Sequence, residues 1–200
     1  MNPRICIIPA RGGSTRIPRK NVKLFHGQPI IAYSIEKARA SGLFDRVVVT
    51  TDDAEIASVA LSYGAEVYRR PPEYGQDEVG TQEVVRECLQ GLGIGSNHEI
   101  VCCIYATVPL MNVHDLTRGF YILTGQPCTT FVFSVGYPEL CDAGQFYWGW
   151  AYDFRMGTPL ISPETRMVRV DASRVCDINT PKDWARAVKM YKQLEEVCGE

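Results

Sequence analysis

The sequence predicts an α/β fold, with a mostly parallel central sheet and helices on both faces. Three observations carry this. Short apolar, β-branched runs recur at Ile5-Cys6-Ile7-Ile8, at residues 46–51 and at residues 100–105, and read as buried strands. Segments with apolar residues at helical spacing, closed by glycine, lie between such runs. Strand and helix then alternate up to residue 135, and that alternation implies crossover connections and parallel pairing. Two hundred residues suit one such domain, here taken as 1–200, with enough interior for a substantial core.

Taken in order, the first strand ends at Pro9, and a loop runs to a helix from Pro29 to Ser41 that stops at Gly42. Arg46 to Thr51 is the second strand. Asp52 with Glu55 three residues on fits a capping box for a helix over 54–63; capping is the preferred role of these acids, with catalysis the alternative. A short strand over 66–69 leads into a loop rich in proline and glycine, residues 69–77, then a helix over 80–92. Strand 100–105, a helix over 115–123 and strand 129–135 complete the regular part. The aromatic run Asp142 to Trp150 alternates as one strand of a hairpin. Its aromatics suit either packing or a half-wet binding site. Residues 175–179 read as the end of a strand. Thr180, Pro181 and Asp183 then open the last helix.

The loop from Pro9 to Asn21 is the most informative stretch. It holds Gly12 and Gly13 with Arg11, Arg16, Arg19 and Lys20. Residues 1–35 carry six lysines and arginines and no Asp or Glu, whereas an ordinary surface mixes signs. Glycines allow close backbone approach. Arginine grips phosphate as a fork and lysine as a point charge. After the first strand of an α/β chain, such a loop is where nucleotide phosphates sit. It has neither the glycine-lysine-serine/threonine ending of a P-loop nor a GxGxxG pattern. The carboxyl-end rule places this loop, Arg70, Asp77, Tyr105 and Thr107 around one cleft. Asp177 and Asn179, two apart, put two hard oxygen groups on one side of the chain, a pair that suits Mg²⁺ beside substrate phosphates.

Composition narrows the classes further. Net charge is −2, so there is no global basic field for nucleic acid. No run of 18 apolar residues exists. Met1-Asn2-Pro3-Arg4 lacks signal-peptide anatomy, and the eight cysteines show no CxxC or metal-ligand spacing; the expectation is a cytoplasmic protein with reduced, mostly buried thiols.

Ile7 to Ser14, then Ile17-Pro18-Arg19-Lys20-Asn21, resembles the signature loop of the acylneuraminate (CMP-sugar) cytidylyltransferases, and Arg70-Pro71 with Asp77, Thr107 with Pro109, and Asp177 to Pro181 follow in that family's order. Residues 104–107 and 142–148 are similar to its pseudaminic acid branch. The resemblance implies a three-layer Rossmann-like nucleotidyltransferase fold and transfer of CMP from CTP to an acidic nine-carbon sugar. It implies Arg11 and Lys20 on the phosphates, with Asp177 as a third catalytic residue, and a nucleotide site built from Ala10, Arg11, Gly12, Gly13, Ser14, Arg16, Lys20, Asn21, Arg70, Val79 and Thr81. It implies a sugar pocket of Tyr105, Thr107, Gln145, Phe146 and Tyr147, and Mg²⁺ as cofactor on Asp177 and Asn179. Three departures accompany it: Thr15 where lysine is common, Asn179 where aspartate is usual, and a shortened arm near 135–141, where the family carries sugar contacts and the reach to a partner in a homodimer.

Overall fold

The computed structural model describes residues 2–76 and 78–198; Asp77, expected at the cleft, lies outside the described residues. Strand β1 (Arg4–Pro9) leads into the loop. A small hairpin, β2 (Leu24–Phe25) with β3 (Gln28–Pro29), follows it and was not foreseen from the sequence. Then come α1 (Ile30–Ala40), β4 (Arg46–Thr51), α2 (Ala54–Ser62), β5 (Glu66–Arg69) and α3 (Thr81–Gly91). The chain continues through β6 (Ile100–Ile104), α4 (Val113–Gly125), β7 (Phe131–Tyr137), β8 (Asp142–Trp150), α5 (Ala151–Met156), β9 (Arg166–Asp171) and α6 (Pro181–Cys198).

Seven strands form one sheet in the order β5-β4-β1-β6-β8-β7-β9. Pairing is parallel except along both edges of β8, so β8 alone runs against the other strands. Short crossovers force the parallel part, and the tight β7–β8 turn forces the reversal. Alternate residues feed opposite faces: Cys6, Ile8, Cys102 and Ile104 pack under α1, α2 and α4, while Ile5, Ile7, Val101 and Cys103 pack under α3 and α5. The result is three layers, as expected. A third cluster, with Phe25, Tyr33, Ile178 and Ala187, docks α6 against α1 and the β2–β3 hairpin.

Two local expectations need correction. The cap of α2 is Asp53, whose side chain accepts from the backbone N–H groups of Glu55 and Ile56 at 2.9 Å, and not Asp52. Residues 175–179 form no strand. After β9 the chain makes a short helical turn at Ala172–Arg174 and then runs irregularly. The alternation there has another cause: Cys176 and Ile178 insert into the cluster beneath α6, so period two serves helix docking.

Candidate functional site

Sequence order along the sheet reverses between β1 and β6, and at their carboxyl ends a cleft of about 350 Å³ opens. This is where open α/β sheets take ligands. Its walls include Arg11, Ser14, Arg16, Lys20 and Asn21 from the loop, Arg70 after β5, Val79 and Thr81 before and on α3, Tyr105 and Thr107 after β6, and Asp177 with Asn179. Segments distant in sequence therefore converge as the carboxyl-end rule requires. Tyr74, Gln76 and Val84 also line the cleft. A Pro/Gly loop and a helix core position carry no chemical signature, so residue type alone does not mark them.

The loop is held from beneath. A Cβ on Gly12 would lie 2.7 Å from Oδ2 of Asp53, so this close approach requires glycine. The Gly12 N–H donates to Asp52 Oδ1 at 3.2 Å, so that donor faces a carboxylate and not the cleft. Arg19 takes a left-handed conformation, φ 54°. Its guanidinium bonds Asp53 at 2.6 and 3.0 Å and also pairs with Glu55, which raises its pKa. Arg19 is thus an anchor to α2. Asn21 is buried, and its Nδ2 donates to the Arg11 carbonyl at 2.9 Å, fixing the loop's curvature. Ala10 is buried at the base, where its N–H donates to Thr50 O at 3.0 Å, and Gly13 has open space around it.

Lys20 Nζ donates to Ile178 O at 2.7 Å and ties the loop to the segment before α6. Burial lowers its pKa, against the opposing pull of Asp177. Arg16 donates to Asn179 Oδ1 at 3.4 Å, and Asn179 Nδ2 donates to Asp177. Asp177 and Asn179 do meet, as period two predicted, but on an irregular segment. Arg70 is almost wholly buried, 3.5 Å from Asp52; its Nε has no partner among the described residues, and burial lowers its pKa. Among the described charged residues lining the cleft, Arg11, Arg16, Lys20 and Arg70 face one carboxylate, Asp177.

The expected sugar residues divide. Tyr105 and Thr107 line the cleft. Tyr105 shares a hydrogen bond of 3.1 Å with Thr81. Phe146 is fully buried under α4, on the opposite face of β8 from Tyr147. Gln145 is buried with Nε2 donating to Arg174 O at 2.6 Å. Tyr147 stands behind Tyr105, ring centroids 5.7 Å apart, with its hydroxyl on Asp142. The aromatic run is mostly core, with Tyr147 a step from the cleft.

The chain is similar to several known proteins. A family model described as "Cytidylyltransferase" matches residues 5–137. The chain is 34% identical to the pseudaminic acid cytidylyltransferase of Campylobacter jejuni subsp. jejuni serotype O:2, over 96% of this chain and 97% of that protein. That alignment runs over 227 positions against 200 residues here, so the relative has segments without a counterpart in this chain. The chain is also 39% identical to N-acylneuraminate cytidylyltransferase A of Danio rerio, over 64% of this chain and 29% of that protein. Among solved structures it is similar in fold to a CMP:2-keto-3-deoxy-manno-octonic acid synthetase complexed with CTP, with TM-score 0.76, 15% identity, and 96% and 99% of the two chains covered. By its family model and by a relative matched nearly end to end, the chain belongs to the cytidylyltransferase family.

Proposed function

We propose that this protein transfers CMP from CTP to the anomeric hydroxyl of a nine-carbon acidic sugar, with pseudaminic acid favoured, and releases pyrophosphate. One observation carries the reading: a cleft at the sheet's switch point in which four cations face a single carboxylate among the described residues. A triphosphate supplies the charge such a cleft lacks. The Campylobacter relative's name supplies the favoured sugar.

In this mechanism the sugar hydroxyl attacks the α-phosphorus, the bond to the β-phosphate oxygen breaks, and pyrophosphate departs. Negative charge builds on phosphate oxygens, so the protein's part is positioning and electrostatic stabilisation. Lys20 and Arg11 grip the phosphates. Lys20 is pre-placed by its bond to Ile178 O and partly desolvated, which strengthens its field. Ser14 and Arg16 line the same wall, and Arg70 with Val79 and Thr81 takes the nucleoside side. Asn21 acts by holding the loop. Tyr105 and Thr107 face the sugar.

Asp177 and Asn179 lie side by side, with Asn179 turning Nδ2 to Asp177 and Oδ1 to Arg16; with that amide rotated, the pair would lend Mg²⁺ one carboxylate and one amide oxygen, and substrate phosphates would supply the rest. No cluster of three His, Cys, Asp or Glu that could hold a metal unaided occurs among the described residues. A bound ion would neutralise triphosphate charge.

A second reading has its own support. The β7–β8 turn is only residues 138–141, shorter than the arm on which the resemblance places sugar contacts. On that reading the chain binds CTP without transferring CMP. Pyrophosphate release from CTP and Mg²⁺, measured separately with pseudaminic acid and N-acetylneuraminic acid, decides between them. The proposal predicts sugar-dependent release with the higher kcat/KM for pseudaminic acid. CTP binding without release from either sugar would mean a sugar site that is lost, as the second reading has it, or one that reads a different sugar, and preference for N-acetylneuraminic acid reverses the choice of sugar.

A further inference from the structure

Asp115 is a buried carboxylate that the mechanism above leaves unused. It sits in the first turn of α4 and is 3% exposed. A helix N-terminus favours an acid at the surface, but burying one is costly unless it is paired. Capping does not explain it, because Asn112 already caps α4, its side chain accepting from the His114 N–H at 2.7 Å. Asp115 turns instead to two guanidiniums. Arg118 donates to its Oδ1 at 3.4 Å, and Arg174 donates to its Oδ2. The two arginines lead to different places. Arg118 also donates to Arg169 O at 3.4 Å, on the edge strand β9. Arg174 closes the short turn after β9 and lies three residues before Asp177.

Arg174 is held a second time through its backbone, where Gln145 Nε2 donates to its carbonyl at 2.6 Å. Its side chain is thus tied to α4 and its carbonyl to β8. At the other end of the segment, the N–H groups of Asn179 and Thr180 donate to Asp183 Oδ2 at 3.2 and 2.7 Å. Residues 175–178 run between these two ties. Cys176 and Ile178 pack into the cluster beneath α6, but apolar contact is non-directional and does not fix where a neighbouring polar group points. This stretch carries the Ile178 carbonyl that receives Lys20, and Asp177 on the cleft wall. We infer that Asp115, through Arg174, is a positioning residue for the phosphate end of the cleft: the ion pair fixes the entry to residues 175–179, and with it the Ile178 carbonyl that orients Lys20 and the Asp177 carboxylate. This rests on the reading of the cleft as a CTP site. It also accounts for a buried charge pair at a place where an apolar pair of similar volume would pack as well.

The test compares the Kd of CTP with that of cytidine, which lacks the phosphates, on the full chain with Mg²⁺ present. Arg174→Met removes the guanidinium and leaves Asp115 paired with Arg118, so the buried carboxylate is not stranded. The Gln145 bond to the backbone of residue 174 is also kept. This variant should raise the Kd for CTP about tenfold, the scale on which losing a group that orients site residues costs binding, and leave the Kd for cytidine unchanged. Arg174→Lys, which keeps a cation beside Asp115, should restore most of the CTP affinity. Arg118→Met removes the other partner of the same carboxylate, on the side leading to β9, and should leave both Kd values unchanged while lowering the melting temperature. Unaltered CTP affinity in Arg174→Met overturns the inference. So does a parallel loss of cytidine binding, which would show general distortion, or an equal loss of CTP affinity in Arg118→Met, which would show that only the stability of α4 matters. If the unmodified protein binds CTP no better than cytidine, the CTP reading of the cleft itself fails and the inference falls with it; if it prefers CTP and Arg174→Met matches it, only the role of Asp115 and Arg174 falls.

Discussion

Lys20 does two jobs with one ammonium. It ties the loop to Ile178 O, and it lines the cleft where a triphosphate would sit. It belongs to none of the buried apolar clusters. Lys20→Ala should therefore lower kcat/KM by roughly 10²–10³, the cost of removing one preorganised transition-state donor, with a melting temperature within a few degrees of the unmodified protein. Near-normal turnover would remove Lys20 from the phosphate site. Asn179 is the residue where an extra charge would be most informative. Asn179→Asp adds a carboxylate beside Asp177, so activity should saturate at lower Mg²⁺; an unchanged Mg²⁺ titration would place Asn179 away from the ion. At this scale the sequence was most readable where chemistry needs a particular residue type. Arg11, Arg16, Lys20, Arg70, Tyr105 and Asp177 all reach one cleft, whereas Arg19 turns away to α2. Gln145 and Phe146 do not, because side-chain direction in a bulged strand follows backbone geometry that residue types do not reveal.

Among the elements, α2 shows how structure and site share parts. Its cap Asp53 accepts two backbone N–H bonds and also anchors Arg19, and with it the loop's far end. The Arg19 guanidinium, with the backbone donors, holds the Asp53 carboxyl down at about 2. An unfolded aspartate titrates near ~3.9, so the stabilisation is complete above that value and is lost as pH falls toward the folded one. Asp53→Ala should cost about 1 kcal/mol, or a few degrees of melting temperature near neutrality. The gap between variant and parent should shrink as pH drops from about 4 toward 2. A gap independent of pH would mean the carboxylate's charge is not what α2 uses. The sequence pointed to a cap here but one residue early, since Asp52 and Asp53 are adjacent and Glu55 suits either register. What moved to Asp52 is a link between the Gly12 N–H and Arg70. The misread strand at 175–179 has a similar origin: period two marks burial on one side, and α6 can provide that burial as well as a sheet can.

For the whole molecule, the alternation of short apolar runs and helices was enough to predict the parallel sheet and its three layers, because crossover connections leave few alternatives. The order of β8, β7 and β9 was not readable. It depends on which edge an antiparallel hairpin joins, and β9, with its alternating exposed residues, carries a weak signal. The same edge holds the short β7–β8 turn. Four residues lie between the strands there, at the place where the resemblance implies a longer arm that reaches a partner. If a homodimer depends on that arm, light scattering should return the mass of one chain; twice that mass would show that a dimer forms through another surface.

The central claim is that this cleft joins CMP to a sugar. Phosphorus NMR of the protein with CTP, Mg²⁺ and pseudaminic acid tests it most directly. The account predicts that the three CTP resonances give way, only when sugar is present, to pyrophosphate and one phosphodiester signal of a CMP-sugar. CTP that persists, or that breaks down equally without sugar, would contradict it.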